Sequence, residues 1–221
     1  MEALADVTLP WVLFLCGLAI SPAYLWLTLR PESWVKSAVK TAPLGLFAAA
    51  AAAGGAPAFL TVALVLSALG DAALSREGRA YFLYGLSSFG LAHLVFVLLF
   101  QHLGAGAAWE AFAITPLVAV AMLAAALSSE IWLAPYTARL RWPVRLYVAL
   151  ITVMGLTAFS LPPGFGLVAL GAVLFMASDG VLSLVFFRLA AGGAAHRWGS
   201  WALWVLYIAA VAAIFLGASG L

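Results

Sequence analysis

Long apolar runs alternate along the chain with short breaks, and the breaks are where Arg, Lys, Gly and Pro collect. An apolar run of roughly 20 residues with few charges reads as a membrane-spanning helix, because a rise of about 1.5 Å per residue carries it across a hydrocarbon layer about 30 Å thick. Cutting at the breaks predicts eight spans: 10–29, 37–53, 57–74, 80–102, 109–127, 142–161, 164–187 and 200–220. The connections are short. They predict an all-α polytopic membrane protein, a single bundle of eight transmembrane helices occupying 1–221 with no separate soluble domain.

Composition supports that pattern. Hydrophobic residues make up 67% of the 221-residue chain and charged residues 8%, with a mean hydropathy of +1.15, whereas soluble domains carry about 25% charged residues. The leading residues include Glu2 and Asp6 but no Lys or Arg. A cleavable signal begins with a basic segment, so the first run is read as a span. Cys16 is the single cysteine and lies within that span, which excludes an internal disulfide. The net charge of +2 gives no reason to expect a nucleic-acid partner.

Charge also orients the bundle. With eight spans, all ten basic residues fall on one side: Arg30, Lys36 and Lys40, then Arg76 and Arg79, then Arg139, Arg141 and Arg145, then Arg188 and Arg197. Basic loops remain cytoplasmic, so both termini are expected on the non-cytoplasmic side. The nine tryptophans fall at or near the ends of the predicted spans, where indole rings prefer the headgroup level.

Two of the most apolar runs each contain an aspartate: "LVLSALGDAALS" carries Asp71 and "VLFMASDGVLS" carries Asp179. Laying 63–75 over 171–183 aligns Val65 with Val173, Leu66 with Leu174, Asp71 with Asp179, Leu74 with Leu182 and Ser75 with Ser183, and sets small Gly70 against Ser178. The two runs are the third and seventh spans, which cross in the same direction. This predicts a 4+4 parallel internal repeat. Arg76 and Arg188 mark the cytoplasmic boundary, and the rise per residue then sets Asp71 roughly 7 Å and Asp179 roughly 13 Å inside it.

A carboxylate in hydrocarbon is costly and by default marks function; the alternative is a polar contact that only holds helices together. Two carboxyls sharing a water-poor site do not both ionise readily, which provides an acid beside a base. Glycosidases use such a pair to protonate a leaving oxygen and support an oxocarbenium ion. Around the aspartates, His93 lies mid-span with Ser87 and Ser88, either lining a cavity or bonding a neighbouring helix. Lys40, one turn inside its span, either snorkels to the surface or meets an anionic headgroup or aspartate. Tyr147 reads as core or as ligand, Arg76 and Arg79 as topology determinants or phosphate contacts, and Glu130 as a solvated cap. His93, His102 and His196 lack metal-ligand spacing, so no metal is expected.

These stretches resemble the YhhN family of lysoplasmalogenases. The resemblance rests on "KTAP" at 40–43, "ALGDAAL", "GLSSFGLAHLVFVLLF", "LRWPVRLYVALITVMG" and "AVLFMASDGVLS", in that order, and covers most of the chain from Lys40 onward. The Ala-Gln pair that often follows a tyrosine in the family's last span has no counterpart after Tyr207, where "IAAVAA" stands. The resemblance implies hydrolysis of the vinyl ether bond of lysoplasmalogens to a fatty aldehyde and glycerophosphoethanolamine or glycerophosphocholine, with no cofactor. Asp71 and Asp179 are then the expected catalytic pair, with Lys40, His93, Tyr147 and Ser178 as substrate contacts. The expected partners are the lysophospholipid substrate and membrane lipids, and the compact loops fit a bacterial inner membrane. The same carboxylates within a repeat would also serve a small proton-coupled transporter, and a purely structural or lipid-binding role is the third alternative.

Overall fold

The computed structural model describes residues 2–221, with side chains from Thr8 onward. The side chains of Glu2 and Asp6 lie outside the described residues. Among the described residues all regular structure is helical: α1 (Glu2–Leu27), α2 (Trp34–Ala53), α3 (Ala58–Leu74), α4 (Arg79–His102), α5 (Ala111–Ile114), α6 (Pro116–Trp132), α7 (Arg141–Ala158), α8 (Gly166–Phe187) and α9 (Ala194–Ala218).

Each predicted run contains helix, but the fifth is divided. Proline has no N–H to continue the helical ladder, and its ring disfavours helical backbone at the residue before it. Thr115 accordingly turns to φ −135°, ψ 64°, closing the four-residue α5, and Pro116 becomes the first residue of α6. The last helix begins earlier than expected, at Ala194 instead of 200. Among the described residues five helices are long and apolar enough to cross a membrane: Thr8–Leu27, Arg79–His102, Pro116–Tyr136, Gly166–Phe187 and Ala194–Ala218. With 17 residues, α3 is apolar but shorter.

The chain forms two compact units, residues 1–99 with 215–221, and residues 100–214. In the first unit, Ser33 caps α2 by accepting from the Lys36 N–H at 3.1 Å, which satisfies one of the donors left open at a helix start. A Cβ on Gly17 would stand 2.8 Å from the Phe47 ring and 2.9 Å from the Pro43 carbonyl oxygen. Only glycine permits α1 to approach α2 that closely. Phe14 stacks on Phe215 at 4.6 Å and tilts against Phe47 at 4.8 Å, giving this unit an aromatic core. The α3–α4 contact is similarly close: Gly70 faces the Phe89 ring, Gly85 faces Leu74, and the Ser88 hydroxyl donates to the Leu66 carbonyl at 2.6 Å.

In the second unit, Ala111, Ala119, Met122 and Leu156 form a buried cluster around the α5–α6 break. Gly171 brings α8 against α9, where an added Cβ would lie 2.7 Å from the Ala210 carbonyl oxygen. Ser160 after α7 donates to the Gly106 carbonyl at 3.1 Å, fastening the loop before α5.

Candidate functional site

The aspartate in the first unit is buried by the periodicity of its own helix. Leu60, Ala63, Leu64, Ser67, Ala68 and Asp71 are all buried on α3, at the three- and four-residue spacing of a single helical face. The polar side chain therefore continues an apolar stripe. Lys40, from α2, brings Nζ to 3.7 Å from Asp71 Oδ1, with the two side chains 11% and 2% exposed. The Tyr24 ring lies 5.7 Å from the same ammonium. Two further contacts follow along the α2–α3 seam: the Ser75 hydroxyl donates to Ser37 Oγ at 2.7 Å, and the Arg76 guanidinium lies 4.1 Å over the Trp34 ring. An ion pair, a hydroxyl pair and a cation–π contact thus succeed one another along two helices.

In the second unit Asp179 is half-buried on α8, beside the stripe of Val168, Gly171, Ala172, Phe175 and Ser178. The Tyr147 hydroxyl, from α7, donates to Asp179 Oδ2 at 2.5 Å. Beyond α8, Arg188 donates to the Trp132 carbonyl at 2.6 Å and lies 4.0 Å over the Tyr136 ring.

The registers of the two units agree. Asp71 is the fourteenth residue of α3 and Asp179 the fourteenth of α8. Their partners Lys40 and Tyr147 are the seventh residues of α2 and α7, the helices that precede them. Each aspartate is held from the helix before it, by an ammonium in one unit and a phenol in the other.

The remaining expected residues have separate surroundings. His93 is fully buried on α4. Ser178 is fully buried and donates to the Phe175 carbonyl within its own helix at 2.9 Å. Glu130 is exposed, as a solvated cap would be, and is paired with Arg145. Among the described residues no three His, Cys, Asp or Glu side chains cluster as metal ligands would. Sequence reasoning missed Tyr24 and the Ser37–Ser75 pair. Neither carries a local signal, since each is defined by what another helix brings to it.

The chain resembles several curated proteins. It is 35% identical over 167 residues to mouse lysoplasmalogenase TMEM86B, covering 72% of this chain and 66% of the relative. It is 32% identical over 167 residues to a Mycobacterium bovis lysoplasmalogenase, covering 73% and 63%, and 29% identical over 183 residues to bovine lysoplasmalogenase TMEM86A, covering 72% and 70%. The matched stretch spans about two thirds of the relatives' length. No solved structure matches significantly. The family signature extends over residues 35–218 and takes in both aspartates and both of their partners, so the chain belongs to the YhhN family.

Proposed function

We propose that this chain is a membrane-embedded hydrolase that cleaves the vinyl ether of lysoplasmalogens, using Asp71 and Asp179 as its acid–base pair. The observation that carries the proposal is the held aspartate in each unit, Asp71 by Lys40 and Asp179 by Tyr147, in a chain whose relatives are named lysoplasmalogenases. A vinyl ether is hydrolysed by protonation of its outer alkene carbon, which moves positive charge onto the ether oxygen and its neighbouring carbon. Water adds to that carbon and loses one proton, the resulting hemiacetal collapses by passing its hydroxyl proton to the departing glycerol oxygen, and aldehyde and glycerol hydroxyl separate. The first proton stays on the aldehyde's carbon, and the proton lost by water restores the acid. One carboxyl supplies the proton and the other supports the cation and takes the proton from water.

In this reading Lys40 orients Asp71, and Tyr147 sets the direction in which Asp179 presents its carboxyl. The protein is a multi-pass membrane protein with eight spans, related as two four-helix halves, with both termini away from the cytoplasm; in a bacterium it occupies the inner membrane. His93 and Ser178, both fully buried, complete this reading as proposed substrate contacts.

The test is release of long-chain aldehyde from a lysoplasmalogen by the purified protein in detergent. Wild type is expected to release aldehyde, and Asp71→Asn and Asp179→Asn to release none while remaining folded. Full activity in either variant would refute the acid–base assignment. Absence of product from wild type, together with proton movement in sealed vesicles, would transfer the aspartates to a transporter.

A further inference from the structure

The outermost contact of the α2–α3 seam leaves one donor unmet. Arg76 lies over Trp34, and such a stack uses the flat face of a guanidinium while its N–H groups point outward in the plane. Its Nη2 is buried and has no hydrogen-bond partner. A buried charged donor without an acceptor is uncommon in folded proteins and calls for an explanation.

Four other basic side chains have acceptors or opposite charges. Lys36 Nζ donates to the carbonyls of Thr28 at 2.9 Å and Arg30 at 2.7 Å. Lys40 faces Asp71, Arg145 is paired with Glu130, and Arg188 donates to Trp132. A second unmet atom lies on the same seam: Thr41 Oγ1 is buried without a partner, and it shares a face of α2 with Ser37 and Trp34 by its three- and four-residue spacing. One opening is on α2 and the other just past the end of α3, the two helices that hold Asp71.

Depth identifies the missing ligand. Arg76 lies just past the end of α3 at Leu74, where the Ser75 and Arg76 N–H groups donate back to the Asp71 and Ala73 carbonyls, so its backbone stands roughly one helical turn, or about 5–7 Å, beyond Asp71. In a lysolipid the sn-1 ether oxygen and the phosphorus are five single bonds apart, roughly 6 Å when extended. We infer that Arg76 binds the phosphodiester of the lysolipid while the ether lies level with Asp71, with Thr41 beside the free glycerol hydroxyl. This rests on the lysoplasmalogen reading of the site. Just outside Arg76, Glu32 accepts from the Glu77 N–H at 2.9 Å, and both glutamates are exposed. A cation with carboxylates beyond it matches a zwitterionic headgroup, phosphate inside and ammonium outside.

The test measures binding of a saturated 1-O-alkyl lysophosphoethanolamine, which cannot be cleaved as a vinyl ether, against the 1-O-alkylglycerol of the same chain length. Both are titrated calorimetrically into the full chain in detergent. Arg76→Gln is expected to weaken the phospholipid about 10-fold or more, as loss of a charge-assisted hydrogen bond does, and to leave the alkylglycerol unchanged. Arg76→Lys, which keeps the charge but not the fork, is expected to fall between, and exposed Arg79→Gln to match wild type. Phospholipid binding by Arg76→Gln equal to wild type would overturn the assignment. Equal weakening of both ligands would also overturn it, showing that Arg76 only secures the seam. Inorganic phosphate alone is expected not to register; binding as tight as the lysolipid's would make this a free-anion site and overturn the lipid assignment. Since the ligand is not consumed, the result stands whether or not wild type releases aldehyde from lysoplasmalogens, so the two proposals fail separately.

Discussion

Replacing Lys40 by Met tests the α2–α3 pairing where it is deepest. Lys40 Nζ and Asp71 Oδ1 are 3.7 Å apart, and at an effective dielectric of about 20 two unit charges at that separation attract by about 4–5 kcal/mol. Much of that attraction only offsets the cost of taking both groups out of water, yet removing one partner of a buried pair still costs about 3–5 kcal/mol, because the other charge stays desolvated. The two ends differ. Asp71 is 2% exposed on a short side chain, while Lys40 is 11% exposed on a long stem that can reach toward the surface. Lys40→Met is therefore expected to cost about 3 kcal/mol, near the low end because Asp71 keeps other contacts. Asp71→Asn is expected to cost about 1 kcal/mol, and the double variant about 2 kcal/mol, a coupling of about 2 kcal/mol. The assay is reversible unfolding in mixed micelles with rising dodecyl sulfate, followed by tryptophan fluorescence at fixed ionic strength. A Lys40→Met variant as stable as wild type, or single effects that simply add, would refute the reasoning.

Tyr147→Phe removes the hydroxyl bonded to Asp179 at 2.5 Å while keeping the ring; aldehyde release is expected to fall about 10- to 100-fold in kcat, with KM and unfolding little changed, and full turnover would remove Tyr147 as a positioning residue. Gly70→Ala drives a methyl to 2.6 Å from Phe89 beside Asp71, and thermal melts should show a loss of about 1–3 kcal/mol from overpacking; an unchanged melt would mean that the α3–α4 contact is looser than its geometry. Glu130→Gln breaks an exposed pair with Arg145, so the unfolding midpoint should barely move, and less still in high salt; a large shift would mean that the pair is more than a surface contact.

The amino-acid order alone contained the helical class and both aspartates, because apolar periodicity and the rarity of charge in hydrocarbon are local properties of a stretch of sequence. It also contained the burial of Asp71, since the stripe from Leu60 through Ser67 leads to it at helical spacing. The division of the fifth run was visible in principle through Pro116, but a hydropathy window counts proline as one more residue in an apolar stretch and is blind to its missing N–H.

Only the tertiary structure decided what holds each carboxylate. Lys40 had two readings in the sequence, snorkelling or pairing, and Tyr147 had two, core or ligand; the folded chain gives each of them an aspartate at the same helical register. Ser37 with Ser75 and Trp34 with Arg76 are invisible along the chain because their partners are separated by a whole helix and turn. Periodicity states which face of a helix turns inward, but only packing, which fixes rotation and axial offset between neighbouring helices to within a side chain's reach, states whom that face meets.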